Sequence, residues 1–133
     1  MIAADTNILV RLLTADDPVQ TTQARELFER EVVFVPKSVL LETEWVVRVL
    51  YKQNTSAVVH ALRLLTSLAQ VRCEDEPAVT RALNWADAGM DFADALHLAS
   101  CQTQRFLTFD RALIRRARRL RTEPEATAVA ASR

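Results

Sequence analysis

Short apolar runs at Ile2 to Ala4, Val32 to Val35, Val71 to Cys73 and Phe106 to Phe109 have the length and composition of buried strands. Between them, apolar residues recur at helical spacing, which predicts helices over Asn7–Leu13, Pro18–Arg30, Ser38–Tyr51, Ser56–Leu68, Pro77–Asp87, Phe92–Gln102 and Arg111–Leu120. Helix-start residues stand at several of these boundaries: Asp17 before Pro18, Ser38 four residues ahead of Glu42, Thr55 or Ser56 before an apolar run, and Glu76 before Pro77. Strands that alternate with helices predict an α/β fold on a mainly parallel sheet. With one glycine, Gly89, and no repetitive stretch, nothing marks an internal linker, so residues 1–121 read as one unit. From Thr122 the chain loses periodicity and large apolar groups, and residues 122–133 read as a frayed tail.

A chain of 133 residues can bury a core without disulfides or a structural metal. Its seventeen basic and seventeen acidic residues cancel, so net charge selects no partner. The placement of charge says more. Fifteen of the bases are arginine, and Arg111, Arg115, Arg116, Arg118, Arg119 and Arg121 crowd into one stretch. That stretch is either a solvated face whose cations suit a helix C-terminus or a set of phosphate contacts. Cys73 and Cys101 lack metal-ligand spacing and read as free thiols of a reducing compartment. The N-terminus has no secretory pattern, and the most apolar stretch, Val39 to Tyr51, is broken by Glu42, Glu44 and Arg48. A soluble, cytoplasmic protein with no membrane partner is the expectation.

Candidate chemistry lies in carboxylates placed where strands or turns hand over to helices. Asp5 follows the first apolar run, Asp91 and Asp94 stand at i and i+3 at the start of one helix, and Asp110 ends the last strand-like run. Each could simply cap a helix. Together they offer oxygen ligands suited to Mg²⁺ or Mn²⁺, in a chain with no Cys/His cluster for zinc. Glu42 falls on a helical face with Val39, Trp45, Val46 and Val49, where an unpaired buried carboxylate would be costly; Glu44, two residues on, is expected outside and paired with Arg48. Trp45 and Trp85 read as core anchors, and His60 and His97 as structural groups.

The segments Ile2 to Arg11 (IAADTNILVR), Val39 to Leu50 (VLLETEWVVRVL), Met90 to Ala99 (MDFADALHLA) and Leu107 to Leu113 (LTFDRAL) resemble the four signature blocks of the PIN-domain family, and within it the VapC-type toxin ribonucleases. The resemblance runs in order over about residues 1–120. It implies a three-layer α/β/α domain with a central, mainly parallel sheet of four or five strands, acting as a Mg²⁺-dependent endoribonuclease. It further implies RNA as substrate, a homodimer, and control by a cognate VapB-type antitoxin. Carried over block by block, Asp5, Glu42, Asp94 and Asp110 would be the catalytic, metal-binding acids, with Asn7, Asp91 and Thr108 in support. Arg111, Arg115 and Arg116 become candidates for RNA contact. The competing expectation is a non-catalytic RNA- or partner-binding module that uses the arginine-rich helix 111–121, with the acids serving only as caps. A receiver-like phosphoryl-transfer protein needs a lysine late in the sheet, and the only lysines are Lys37 and Lys52.

Overall fold

The structure, a computed structural model, describes residues 1–130. Five strands and seven α-helices alternate among the described residues, and every strand pairing is parallel, as expected for an α/β fold. Hydrogen bonding divides the strands into a sheet of three and a sheet of two. The chain likewise divides into two compact units, one ending at Glu76 and the other starting at Pro77.

The first unit holds β1 (Ile2–Ala3), α1 (Thr6–Thr14), α2 (Pro18–Arg30), β2 (Val33–Val35), α3 (Lys37–Trp45), α4 (Thr55–Thr66) and β3 (Val71–Cys73). Its sheet runs β1-β2-β3, with Val33 opposite both Ile2 and Val71. Leu9, Val33, Val35, Leu40, Val58, Val59 and Leu62 are buried in its core. Asp17 caps α2 by accepting the Gln20 N–H at 3.0 Å. For α4 the cap is Asn54, which accepts the Ala57 N–H at 2.8 Å, rather than Thr55 or Ser56. Ser38 does not cap α3 either; Pro36 occupies that position, and the Lys37 N–H donates to Glu74 Oε1 at 2.9 Å.

Beyond α3 the helix continues as a π-helical turn over Val46–Leu50, with the Tyr51 N–H reaching back to Val46 O at 3.2 Å. The tyrosine that ends it ties distant segments together. Its hydroxyl donates to Asp16 Oδ2 at 2.6 Å, and Arg11 donates to both, to Tyr51 Oη and Asp16 Oδ1 at 3.2 Å each.

The second unit holds α5 (Glu76–Asp87), whose first residue belongs to the preceding unit, then α6 (Phe92–Ala99), β4 (Arg105–Leu107), α7 (Arg111–Leu120) and β5 (Glu125–Thr127). Val79, Leu83, Phe92, Leu98 and Leu113 are among its buried residues. The tail therefore does form a last strand: Arg105, Phe106 and Leu107 pair in register with Glu125, Ala126 and Thr127. Its main-chain groups find partners on β4, and Ala126 is its one fully buried side chain, which is why side-chain composition gave no strand signal. Residues 131–133 of the expected tail lie outside the described residues.

The facing expected for α3 is corrected. Its buried stripe is Leu40, Thr43, Glu44 and Val47, at i, i+3, i+4 and i+7. Glu42, Trp45 and Val49 share the opposite, exposed face; Trp45 is 49% exposed and so is not a core anchor. Two of the four buried positions are polar, so counting apolar residues selected the wrong face. Both polar groups are satisfied. Thr43 Oγ1 donates to Val39 O at 2.7 Å, and Glu44, only 2% exposed, accepts from Arg48 Nε at 2.7 Å and Nη2 at 3.4 Å. Arg48→Met should leave that carboxylate buried without its counter-charge and lower the unfolding free energy by about 2–3 kcal/mol. Urea titration measures this, and a second change of Glu44 to Gln should restore much of the loss.

Candidate functional site

The acids singled out in the sequence sit where helices begin. Asp5 is the extended residue between β1 and α1, and its Oδ1 accepts the Thr6 N–H at 2.7 Å. Asp91 caps α6, its Oδ2 accepting the Asp94 N–H at 3.1 Å. Asp110 caps α7, its Oδ1 accepting the Leu113 N–H at 3.1 Å. Thr108 fixes that last cap from behind: its hydroxyl accepts the Asp110 N–H at 3.0 Å. The capping role is real in all three cases, and each bond occupies one carboxylate oxygen.

In the second unit, two of these acids act on a third. Asp94, in the first turn of α6, holds its proton above the usual aspartate range; burial is the largest cause, followed by the negative charges of Asp91 and then Asp110, with His97 offsetting part of it. The start of α6 and the start of α7 thus bring a desolvated carboxylate and two neighbouring ones into mutual range. In the first unit, Asp5 and Asn7 are exposed at the start of α1, and Glu42 is exposed on α3. Beside Asp5, the Thr6 hydroxyl is buried with no hydrogen-bond partner. Asn7 also borders a cavity of about 330 Å³ between α1 and α2, with Arg11, Gln20 and Leu27.

The donors at these positions are oxygens of aspartate, glutamate, asparagine and threonine, a set suited to a hard divalent cation. Among the described residues, no three of His, Cys, Asp and Glu are grouped closely enough to hold a metal ion. The chemistry around Asp94 still suits one: a partly buried carboxyl with negative charges beside it is relieved by a positive charge. The two thiols stay outside this chemistry. Cys73 is buried and pushed up to about 11, chiefly by desolvation, and Cys101 Sγ lies 3.2 Å from His97 O.

Helix α7 is amphipathic, with Leu113 and Ala117 buried and Arg111, Arg115, Arg118 and Arg119 exposed. Arg116 differs from these. It is half-buried and reaches over the α5–α6 turn, where its guanidinium lies against Gly89 and 3.5 Å from Ala88 O. Of the three arginines expected at RNA, Arg111 and Arg115 are exposed and Arg116 packs on its own unit.

The family model of the PIN domain matches residues 2–119 of the chain. No curated protein matches it. Among solved structures, the Mycobacterium tuberculosis toxin VapC20, described as cleaving the sarcin-ricin loop, is similar at 23% identity over 85% of this chain and 92% of the toxin, with a TM-score of 0.43.

The burial of Asp94 beside two like charges has a direct consequence for stability. A carboxyl that keeps its proton to higher pH when folded makes the native state bind more protons, so stability falls as pH rises from the unfolded value, about pH 4, through the folded one. Asp94→Asn removes that loss. In EDTA the variant should melt higher than the wild type at pH 7, and the gap should close below about pH 4. A variant that melts lower at pH 7 would show that the Asp94 charge stabilises the fold.

Proposed function

Because the chain belongs to the PIN domain family, whose model spans residues 2–119, we propose that it is a Mg²⁺-dependent endoribonuclease of the VapC toxin type, with Mn²⁺ able to serve in place of Mg²⁺. Asp5, Glu42, Asp94 and Asp110 are the metal-binding acids of this reading, and Asn7, Asp91 and Thr108 support them. Arg111 and Arg115 contact the RNA backbone, while Arg116 braces the helix that carries them. The enzyme works as a homodimer in the cytoplasm, and a VapB-type antitoxin restrains it. The four sequence blocks support the toxin assignment. The observation that carries the catalytic reading is Asp94, partly buried and facing the charges of Asp91 and Asp110. A cap needs no such company, and a cation site does.

A divalent cation bound to these carboxylates supplies charge neutralisation at a phosphodiester and lowers the pKa of water. The chain's own groups supply position. Asp91 fixes the first turn of α6 through the Asp94 N–H, so the Asp94 carboxylate is delivered by a capped helix rather than by a loop. Thr108 does the same for Asp110. The first-turn N–H groups of α6 and α7 add positive potential where phosphate oxygens gain charge.

The second reading, a non-catalytic RNA- or partner-binding module, draws on the exposed arginines of α7. Mg²⁺ separates the two. A cation site should stabilise the fold, by about 2.7 kcal/mol when the ion stands at a hundred times its dissociation constant, and capping acids should not respond. The deciding experiment incubates a mixed pool of structured RNAs with protein freed of co-purifying partners, with Mg²⁺ or with EDTA. Cleavage should require Mg²⁺ and fall roughly 100-fold or more in Asp94→Asn and Asp5→Asn. Cutting that survives both substitutions would remove these acids from the site.

A further inference from the structure

At the end of the second unit away from Asp110, two adjoining grooves of about 600 and 500 Å³ meet along Thr103, Arg121, Glu123 and Pro124. The first is bordered by the last turn of α7, through Arg118, and by Gln104 and Glu125 at the start of the two strands. The second adds Arg81 and the half-buried Trp85 from α5, with Gln102 beyond α6.

The arginines here are not explained by the helix ends they stand near. Arg121 takes the left-handed conformation that closes α7, and its backbone N–H bonds Ala117 O and Arg118 O, while the Thr122 N–H also bonds Ala117 O. The Ala117 and Arg118 carbonyls of the last turn are therefore met by backbone, not by guanidinium groups. At α6 the duty falls to Arg81, whose Nη2 donates to Ala99 O at 2.8 Å. Among the described residues, Arg118 and Arg121 make no side-chain hydrogen bond or ion pair. Nor does α7 carry any acid to balance them: its sequence is RALIRRARRL. Like charges at i, i+3 and i+4 repel, so the helix holds this array against its own stability.

The exposed series Arg111, Arg115, Arg118 and Arg119 also has a direction. It begins beside Asp110 and ends at the grooves, a run of about 12 Å at the helical rise, the span of a few nucleotides. Guanidinium groups take phosphates, and the ring of Trp85 offers a base a stacking face. Glu123 and Glu125, which line the first groove, accept N–H groups from a base edge.

We infer that the paired grooves around Arg118, Arg121 and Trp85 bind a nucleotide of single-stranded RNA that flanks the scissile bond, at the far end of α7 from the cut. That the flanked bond is cut rests on the ribonuclease reading; the binding itself does not.

The test uses the full chain carrying Asp94→Asn, so that RNA is bound without being cut. Fluorescence anisotropy compares oligoribonucleotides of about four and about twelve nucleotides, with Arg118→Gln and Arg121→Asn introduced together. Asparagine tolerates the left-handed backbone at 121, which keeps the helix end intact. The longer RNA should bind the parent more tightly than the shorter one, and the double substitution should cut that ratio about tenfold. It should also reduce the salt dependence of the longer RNA's affinity by about 1.4 in log–log slope, at about 0.7 for each phosphate no longer neutralised. An unchanged ratio overturns the inference. Length-dependent binding through Arg118 and Arg121, when the unsubstituted chain cleaves nothing with Mg²⁺, would sustain the groove and remove the nuclease. Cleavage by the unsubstituted chain together with an unchanged ratio would do the reverse.

Discussion

The first turn of every helix leaves backbone N–H groups that must find acceptors. In this chain that requirement and the candidate chemistry meet in the same side chains. Asp5, Asp91 and Asp110 each give one oxygen to a helix start and retain the other. Capping and ligation look like rival explanations for an aspartate when it is seen alone in a sequence. In three dimensions they are compatible, because a carboxylate has two oxygens and about four lone-pair directions. The cap removes the freedom of the side chain, so an oxygen left for a ligand is already aimed. Asp94 completes the arrangement from inside the first turn of α6, carrying a charge that its neighbours disfavour.

Much of this was legible in the sequence, where the physics is local. Helix α7 runs over the span its periodicity predicts, β3 likewise, and the acids fall at the helix starts where turn chemistry places them. What was not legible depends on partners far along the chain. The apolar count on α3 favoured the face of Glu42, Trp45 and Val49, yet the buried stripe includes Glu44, whose burial becomes tolerable through Arg48 one turn on. That pair was visible as an i, i+4 spacing; its solvent environment was not. Strand β5 was hidden for a different reason, since Glu125–Thr127 is held by main-chain bonds to β4 and side chains scarcely enter. The grooves near Arg121 join residues of α5, the α6–β4 loop and the chain after α7, a proximity that no single window contains.

The balance of seventeen acids against seventeen bases conceals a strong local asymmetry. Acids are engaged in caps and ion pairs, at Asp16 with Arg11 and Tyr51, at Glu44 with Arg48, and at Asp75 with Lys37. The arginines of α7 have no such company within their helix. A chain that is neutral on average can therefore present a positive ridge beside a negative cluster, and each attracts a different part of the same ligand: the ridge takes phosphate, the cluster takes a cation.

Gly89 is the only glycine in the chain, and it occupies the place where the Arg116 guanidinium lies against the backbone at a φ of +108°. Two residues later comes Asp91; six residues before Arg116 comes Asp110. Neither Gly89 nor Arg116 needs to meet a ligand for this to matter. The missing Cβ leaves room for the guanidinium to lie flat on the turn that leads into α6. Any side chain at 89 would be strained at this φ and would push the guanidinium aside, a flexible tip giving way before the helices do. The least chemically endowed residue in the protein thus seats an arginine beside its most charged neighbourhood.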